Sequence, residues 1–443
     1  MHKPAAMMLS LALSLPAVWS TAAQGAEPVE RQGALAGLPS APGPHLAKIK
    51  ALGGDAWVEL GSPEADPQWG KARGRSWSSR MAFAPDLAGA FLNGQGVHGY
   101  IKPDGYFMDD IWLYDLHAHR WICLYPGTDT RNFVANIKSG ELKTNDDGQL
   151  VDQEGRVVPF SSIAGHSYQD HVYDPDLGRY VFGGHTDGIG SEQHVRDQEW
   201  CKTGRELLLA QGKTDKAAGA PFHFDTLTGL FERPPAGAVG RAHGGAGGSF
   251  QVDLMYLPTK KLYWQHSRGI VRFADAATHS WKNAKAVGSP PPGDDVGICH
   301  DSKRDVIYIT ANSTRDGRGN PDEGAVFIYD VAKNSWSRPP RKGNPPAGLF
   351  SANRSCVHYD AVADKVVVLV FMAERNALGV HVYDPETAAW SEAPMPPPPA
   401  FAVDRGCGNG FYSPEVNAHI VFRARDSDAV GRMWAYRFER PTK

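Results

Sequence analysis

An all-β protein built from a repeated hairpin is predicted by three observations. In the stretch 111–121, IWLYDLHAHRW, an alternating apolar strand ends at Asp115, and Trp121 opens a second strand after a polar turn. The same six-residue interval from an aspartate to an aromatic residue recurs at Asp225/Phe231, Asp275/Trp281, Asp330/Trp336 and Asp384/Trp390. The 443 residues include 48 Gly and 33 Pro, which suit many short strands joined by tight turns. One hairpin recurring along a chain indicates a repeat architecture.

A second hairpin lies upstream of each of these units. It consists of a strand, a turn rich in Asp, Pro, Gly or Lys, and another strand. Its copies are at 81–92, 171–182, 254–264, 298–309, 357–368 and 410–422. Two hairpins make a four-stranded unit, and six units predict a six-bladed β-propeller. The long interval from Asp115 to Asp225 leaves seven blades as an alternative. We prefer insertions there, because the interval contains no further Asp-to-Trp hairpin.

The two ends of the chain complement each other. Residues 55–60, DAWVEL, resemble the strand that follows each turn, but no partner hairpin precedes them. Residues 433–438, MWAYRF, resemble the strand before the turn, and no Trp strand follows them. We therefore expect the N-terminal strand to complete the last blade, which closes the ring and removes its open sheet edges.

The repeat resembles the kelch-repeat β-propellers. The residues that carry the resemblance are the Tyr-Asp before the turn, the Trp after it, and Gly183-Gly184 after Tyr180-Val-Phe. The resemblance extends from about residue 55 to the C-terminus, although only the second unit has the double glycine. It implies a fold related to the central domain of galactose oxidase. The copper-radical chemistry of that family requires a Tyr-His ligand dipeptide, which this sequence lacks, so we predict no copper and no other cofactor.

The first 25 residues have the pattern of a secretory signal peptide. A weakly basic start precedes an apolar run over 7–19, and small residues then favour cleavage before Ala26. The run is too short to span a membrane, and no later stretch approaches that length. We predict a secreted or periplasmic monomer without a transmembrane segment. Its parts are a signal peptide (1–25), a flexible lead-in (26–50) and a propeller (51–443).

Charge and cysteine content narrow the range of partners. The net charge is -3 and there is no block of Lys or Arg, so nucleic acid and anionic membranes are not expected partners. The five cysteines match neither zinc-site spacing nor a CxxC motif. We expect buried thiols and no metal site. A bridge between Cys356 and Cys407 is the alternative.

The long connections all fall on one rim of the predicted propeller. The turns between strands 1 and 2, and between strands 3 and 4, are short and share one rim, the short-turn rim. The opposite, loop-rich rim receives the loop 94–109, the insertions at about 124–165 and 185–221, and the loop 311–324. We expect a hairpin turn at 143–148 and a helix around 191–211. Because binding residues concentrate on loops, the loop-rich rim over blades 1 and 2 is the predicted site. Its exposed aromatic residues are expected to be Tyr106, Phe107 and Trp200.

Inward-facing positions can be counted along the first strand of each blade. Two residues before the turn the side chains are mostly apolar and are expected to pack between blades: Ala82, Val172, Met255, Cys299, His358 and Phe411. Four or more residues before the turn, many of the side chains are polar. Together with two residues of the connection that enters blade 3, they form the predicted ligand site: Arg80, Asp170, Arg241, His243, Arg354 and Arg405. The arginines suit a carboxylate or sulfate. An Arg–Asp network that ties the blades together is the alternative interpretation.

A group of histidines and a tyrosine lies in the second blade. His166, Tyr168 and His185 fall at the loop-rich rim, where a His/Tyr pair beside arginines could abstract a proton next to a carboxylate. Structural histidines or a metal site are the alternatives. The sequence therefore leaves two functions open. The first is binding of an extracellular glycan or protein, and the second is a polysaccharide lyase or sugar epimerase acting on acidic sugars.

Overall fold

The fold is a six-bladed β-propeller, as the sequence predicts, and the seven-bladed alternative is wrong. The computed structural model describes the following residues: 30–75, 78–94, 99–160, 169–182, 197–213, 221–233, 253–267, 269–291, 297–310, 325–340, 342–343, 355–372, 377–393, 408–424 and 430–439. No helix in this part of the chain is long and apolar enough to cross a membrane.

A short α-helix and the strand that completes the last blade precede blade 1. These are α1 His45–Ala51 and β1 Ala56–Gly61. Blade 1 follows, with β2 Ala82–Ala84, β3 Gly89–Leu92, β4 Ile111–Asp115 and β5 Arg120–Tyr125. The next elements lie outside the blades: α2 Phe133–Ser139, β6 Leu142–Thr144 and β7 Leu150–Asp152.

Blade 2 contains β8 His171–Asp174, β9 Arg179–Phe182, β10 Phe222–Asp225 and β11 Leu230–Glu232, with helix α3 Glu199–Leu209 inserted between β9 and β10. Blade 3 contains β12 Asp253–Leu257, β13 Leu262–Ser267, β14 Ile270–Asp275 and β15 Trp281–Asn283. Blade 4 contains β16 Gly297–Asp301, β17 Val306–Thr310, β18 Val326–Asp330 and β19 Ser335–Ser337.

Blade 5 is preceded by β20 Lys342–Gly343, which joins its outer edge. The blade itself contains β21 Ser355–Asp360, β22 Lys365–Met372, β23 Ala377–Asp384 and β24 Ala389–Glu392. Blade 6 contains β25 Asn409–Ser413, β26 Ala418–Arg423 and β27 Arg432–Arg437, and β1 is its fourth strand.

Pairing of the two ends of the chain closes the ring. Strand β1 is antiparallel to β27, and Trp57 lies opposite Tyr436. The Asp55 amide donates to the Phe438 carbonyl at 2.8 Å, and the Tyr436 hydroxyl donates to the Asp55 carboxylate at 3.0 Å. The expected closure is therefore confirmed.

Each repeated aspartate makes a turn on the short-turn rim. The Asp225 carboxylate accepts the backbone N–H groups of residues 227 and 228 at 2.8 and 3.0 Å, and Asp275 does the same with residues 277 and 278. Four positions after the aspartate the backbone is left-handed, with φ of 56° at His119 and 53° at His279. An Asx turn that ends in a left-handed residue reverses the strand in four residues.

The aromatic residue after each turn packs on the residue opposite it in the preceding strand. Trp121 pairs with Tyr114, and Trp336 pairs with Tyr329, with ring centroids 4.9 Å apart in the second pair. These side chains are buried in the clusters between neighbouring blades. The repeated Asp and Trp thus build the scaffold.

The segment expected to be a flexible lead-in is packed on the propeller from residue 31 onward, which corrects that expectation. Leu35 is buried between blades 1 and 2, and Ile49 of α1 is buried in the cluster of blades 6 and 1. Arg31 pairs with Asp86 at 2.7 Å. The apolar residues among the Ala, Pro and Gly of this segment supply the burial that holds it. Residues 1–25 lie outside the described residues.

The cysteines of the described residues are buried, as expected. Cys123, Cys201 and Cys299 are free thiols, and Cys356 is buried as well. The Cys356 thiol donates to the Ser79 carbonyl at 3.1 Å. Cys407, the other half of the alternative bridge, lies outside the described residues.

The packing of the repeat leads to a stability prediction. Trp336 is 7% exposed and contacts Trp264 and His266 as well as Tyr329. Trp336→Ala should lower the free energy of unfolding by about 3–5 kcal/mol, because it leaves a cavity among these rings. Urea unfolding followed by circular dichroism measures this. Val287→Ala is the control, since Val287 is 69% exposed and meets Trp336 only through the backbone. Equal stability of the two variants would contradict the assigned role.

Buried neutral histidines predict a loss of stability in acid. Burial, together with Arg179, lowers the pKa of His279 from 6.5 to about 4. Burial, together with Arg80, lowers the pKa of His171 to about 3. The unfolded chain therefore binds more protons than the folded chain below pH 6.5, so stability falls as the pH falls. At pH 5 His279 alone should cost about 2 kcal/mol relative to pH 8.

The variant His279→Asn tests this coupling, because Asn tolerates the left-handed backbone at that position. Urea midpoints between pH 8 and pH 5 should fall less steeply in the variant than in the wild type. Parallel slopes would show that His279 does not titrate in this range.

Candidate functional site

The insertions of the loop-rich rim fold together into a cap, which we define as residues 99–108, 126–160 and 197–213. The cap has its own apolar core, separate from the clusters between the blades: Phe107, Phe133, Ile137, Leu150, Phe160, Cys201 and Leu208. Phe133 of α2 stacks on Phe160 at 4.7 Å and lies so close to α3 that a Cβ at Gly204 would come within 2.4 Å of its ring. The predicted turn at 143–148 is confirmed by β6 pairing with β7. The helix predicted around 191–211 is confirmed over Glu199–Leu209 as α3, and residues 191–196 lie outside the described residues.

A buried cluster of charges anchors the cap to blade 1. Arg75 pairs with Asp110 at 2.6 Å, and both side chains are buried. The Trp112 indole also donates to Asp110, at 2.7 Å. Burial alone would raise the pKa of Asp110, but Arg75 and Lys102 outweigh it and hold the pKa below its usual value. Asp109 accepts the N–H and the hydroxyl of Thr128, both at 2.8 Å. These bonds fix the C-terminal end of the loop that carries Tyr106.

The aromatic residues predicted to be exposed occupy different environments. Phe107 is fully buried in the cap core, so that prediction is wrong. Trp200 is partly buried and packs against Phe107 and Phe133. Tyr106 remains partly exposed, and its ring lies 5.4 Å from the partly exposed ring of Trp69. In the sequence, Phe107 is a single apolar residue in a loop. Its neighbours along the chain do not indicate that the insertions form a second core, which explains the wrong prediction.

Hydrogen bonds cross the central channel at the loop-rich ends of the inner strands. The Arg80 guanidinium of blade 1 donates to the carbonyls of His171 in blade 2 and Leu254 in blade 3, at 3.1 and 2.7 Å. The Gln169 side-chain oxygen accepts from Arg80 at 3.0 Å and from the Ile298 amide of blade 4 at 3.2 Å. Bonds between blades that are not neighbours pass through the channel, so the channel is bridged at this level.

Arg80 is engaged mainly by the protein itself. Besides the carbonyls and Gln169, its second terminal nitrogen donates to the Met255 sulfur at 3.1 Å. Burial lowers the pKa of Arg80 to about 10, while the carboxylate of Asp253 counteracts this effect. A guanidinium whose terminal donors are all used cannot grip a carboxylate bidentately. The contacts therefore favour the interblade network over the predicted ligand contact for Arg80.

Asp170 belongs to the same network. It is 4% exposed, and its Oδ1 atom is buried without a hydrogen bond among the described residues. Burial, and then the neighbouring charge of Asp253, raise the pKa of Asp170 well above its usual value. Asp253 bonds to His266 at 3.2 Å. Burial and the nearby Asp253 thus both disfavour the charged form of Asp170.

A cavity of about 290 Å³ lies in the channel next to Arg80. Its lining includes the six apolar or weakly polar residues that lie two positions before each turn: Ala82, Val172, Met255, Cys299, His358 and Phe411. These side chains also pack against the next blade, as predicted; Phe411, for example, stacks on Phe83 at 5.2 Å. The side chains that pack the blades together therefore also line the cavity.

Most of the predicted site residues lie outside the described residues. These are Arg241, His243, Arg354 and Arg405 of the predicted ligand site, and His166, Tyr168 and His185 of the predicted acid–base group. Their roles stay predictions. No group of three or more metal-ligating His, Cys, Asp or Glu side chains occurs in the described part of the chain.

Two features of the site were missed by the sequence analysis. Gln169 links blades 1, 2 and 4. It is a single glutamine after a long loop, and no repeat or motif in the sequence marks it as a contact between blades. Trp69 was overlooked because it lies between β1 and the first blade, far in sequence from its partner Tyr106. The turn Asp66-Pro-Gln-Trp69 was the only available signal.

Comparison with known proteins adds little to these observations. No family model matches the chain, and no curated protein matches it. Among solved structures it is similar to a chain from a crystal structure of the mitotic checkpoint complex, at 10% identity and a TM-score of 0.42. That match covers 97% of this chain and 100% of the other. A likeness this weak identifies no family.

The bridge across the channel leads to a prediction. Arg80→Met should lower the free energy of unfolding by about 3 kcal/mol or more, because Asp253 and several buried carbonyls lose their cationic partner. Thermal and urea unfolding measure this. Arg131→Met is the matched control, since the Arg131 side chain is 59% exposed. An Arg80→Met protein as stable as this control would show that the network does not tie the blades together.

Proposed function

We propose that this protein is a secreted or periplasmic, divergent kelch-type propeller that binds an extracellular glycan or protein through the cap. The observation that carries the proposal is the asymmetry between the two rims. Every blade ends in tight turns on the short-turn rim, whereas the cap forms a second core on the loop-rich rim that no blade requires. A rigid scaffold that supports extra ordered structure on one side is the usual arrangement of a binding protein.

The bridged channel supports binding on the surface of the cap. A ligand that approaches the loop-rich rim meets the bonds of Arg80 and Gln169 before it reaches the cavity. The contact surface is then supplied by the cap and the loops around it.

Kelch-type ancestry and export are further parts of the proposal. The Tyr-Asp and Trp of the repeat support the kelch assignment, and the apolar run before Ala26 supports export by a cleaved signal peptide. We propose a monomer, because blade 6 closes on β1 of the same chain and leaves the ring complete without a partner.

Disruption of the cap core tests the proposal. Phe133→Asp places a charge where the side chain is 1% exposed, so the cap should unfold while the blades remain folded. Binding to a panel of soluble polysaccharides and extracellular-matrix proteins, measured by biolayer interferometry, should be lost. Leu209→Asp is the control, because Leu209 lies on α3 of the cap but is 55% exposed.

Circular dichroism and the main unfolding transition should show that the blades survive in both variants. Retention of the full wild-type binding profile by Phe133→Asp would overturn the assignment of binding to the cap.

A further inference from the structure

We infer that Trp69, bordered by Tyr106 and Arg131, is a platform for a neutral, hydroxyl-rich sugar ring. The inference rests on the proposed function and names both the ligand class and the contact residues. Trp69 and Tyr106 are partly exposed, with ring centroids 5.4 Å apart and planes 75° apart. Two rings at this angle form a corner, with the Trp69 ring as its floor and the Tyr106 ring as its wall.

The turn that presents Trp69 is rigid. The Asp66 carboxylate accepts the backbone N–H groups of Gln68 and Trp69, both at 2.9 Å, and the backbones of Asp66 and Gly70 bond to each other at 2.7 and 3.0 Å. The other carboxylate oxygen of Asp66 accepts the Cys123 amide of β5 at 3.1 Å. The indole therefore projects from a turn fixed to the outer strand of blade 1, and part of it packs on the core of blades 6 and 1.

The wall of the corner is equally well held. The Tyr106 amide donates to the Asp104 carboxylate at 3.1 Å, and the Tyr106 carbonyl accepts the Lys102 amide at 2.8 Å. The next residue, Phe107, is buried in the cap core. Tyr106 thus reaches Trp69 from a part of the chain that is fixed independently. A preorganised pair of aromatic rings loses little entropy on binding.

Polar side chains border the corner. The Arg131 guanidinium carbon lies 5.7 Å from the Tyr106 ring centre, and the Arg131 side chain is 59% exposed. Asp129 pairs with Arg131 and accepts the exposed Asn132 amide at 2.7 Å. Asp104 is 54% exposed. The Trp69 indole N–H makes no hydrogen bond to any described residue and is not buried. The hydroxyl groups of a sugar ring on Trp69 thus have both hydrogen-bond donors and acceptors around them.

The charges of the border favour a neutral ligand. Arg131 is its only well-exposed cation among the described residues, and it pairs with Asp129. Asp104 pairs with Lys102 at 4.0 Å. The Lys102 side chain is 6% exposed, and its ammonium group is held by the Pro126 carbonyl and by Asp110. A polyanion would meet the two carboxylates with no excess of positive charge. A neutral sugar ring instead presents C–H groups of slightly positive charge to the negative face of the indole.

The shape of the corner favours a sugar over a peptide. Extended peptides are recognised at open strand edges or in grooves. Here two side chains project from separate turns and offer one flat ring face beside a second ring.

The test titrates the full-length protein with soluble neutral polysaccharides (glucan, mannan, xylan and galactan) and acidic ones (alginate and pectate). Tryptophan fluorescence and affinity electrophoresis report binding. The wild type should bind at least one neutral polysaccharide. Trp69→Ala should weaken that binding about tenfold or more, and Trp69→Phe should retain part of it. Val362→Ala is the control, because Val362 is 44% exposed in a turn of the short-turn rim.

The results separate this inference from the proposed function. If neutral glycans bind but Trp69→Ala binds them as tightly as the control, the platform is wrong while binding by the cap stands. If only alginate or pectate binds, the neutral class is wrong. If no polysaccharide binds and Phe133→Asp also leaves protein binding unchanged, both fail. Trp69→Phe keeps the core contacts of the ring, so a loss of binding by Trp69→Ala alone is not a folding artefact when the two melt alike.

Discussion

Pairing of β1 with β27 is the constraint on which the rest of the structure depends. It joins residues almost four hundred positions apart and supplies the fourth strand of blade 6. With the ring closed, each blade packs both faces on neighbours, so the Tyr and Trp side chains of the repeat become fully buried. Without it, blade 6 would expose both the edge of β27 and one end of the stack of blades.

A closed ring also separates the two rims. On the short-turn rim the aspartates shape the turns, since Asp225, Asp275 and Asp301 each accept backbone N–H groups of their own turn. The loop-rich rim does not carry these repeated tight turns, and extra residues are tolerated there at little entropic cost. The cap is formed by such extra residues. It is held by the stacking of Phe133 on Phe160 and by the Arg75–Asp110 pair. New surface is thereby added without any change to the blades.

The interior of the channel is polar where it is bridged and apolar below. Arg80, Gln169, Asp170 and Asp253 meet in one place, and burial there pushes the pKa of Asp170 up and that of His171 down. Both shifts favour the neutral form of the group in the low-dielectric interior. Burial has the same effect on His279 between the blades, and the packing therefore predicts a loss of stability in acid.

The sequence by itself determined the repeat, the closure and the rim that carries the insertions, and it favoured six blades over seven. These follow from short-range patterns, such as Asp115 and Trp121 six positions apart, that each blade must satisfy locally. It did not determine which side chains meet on the loop-rich rim. Phe107 was expected at the surface and is buried. Arg80 was left between a ligand contact and an interblade network, and it bonds to blades 2 and 3. Trp69 was not considered. Those outcomes depend on contacts between segments tens to hundreds of residues apart, which have no period in the sequence and exist only once the blades are in place.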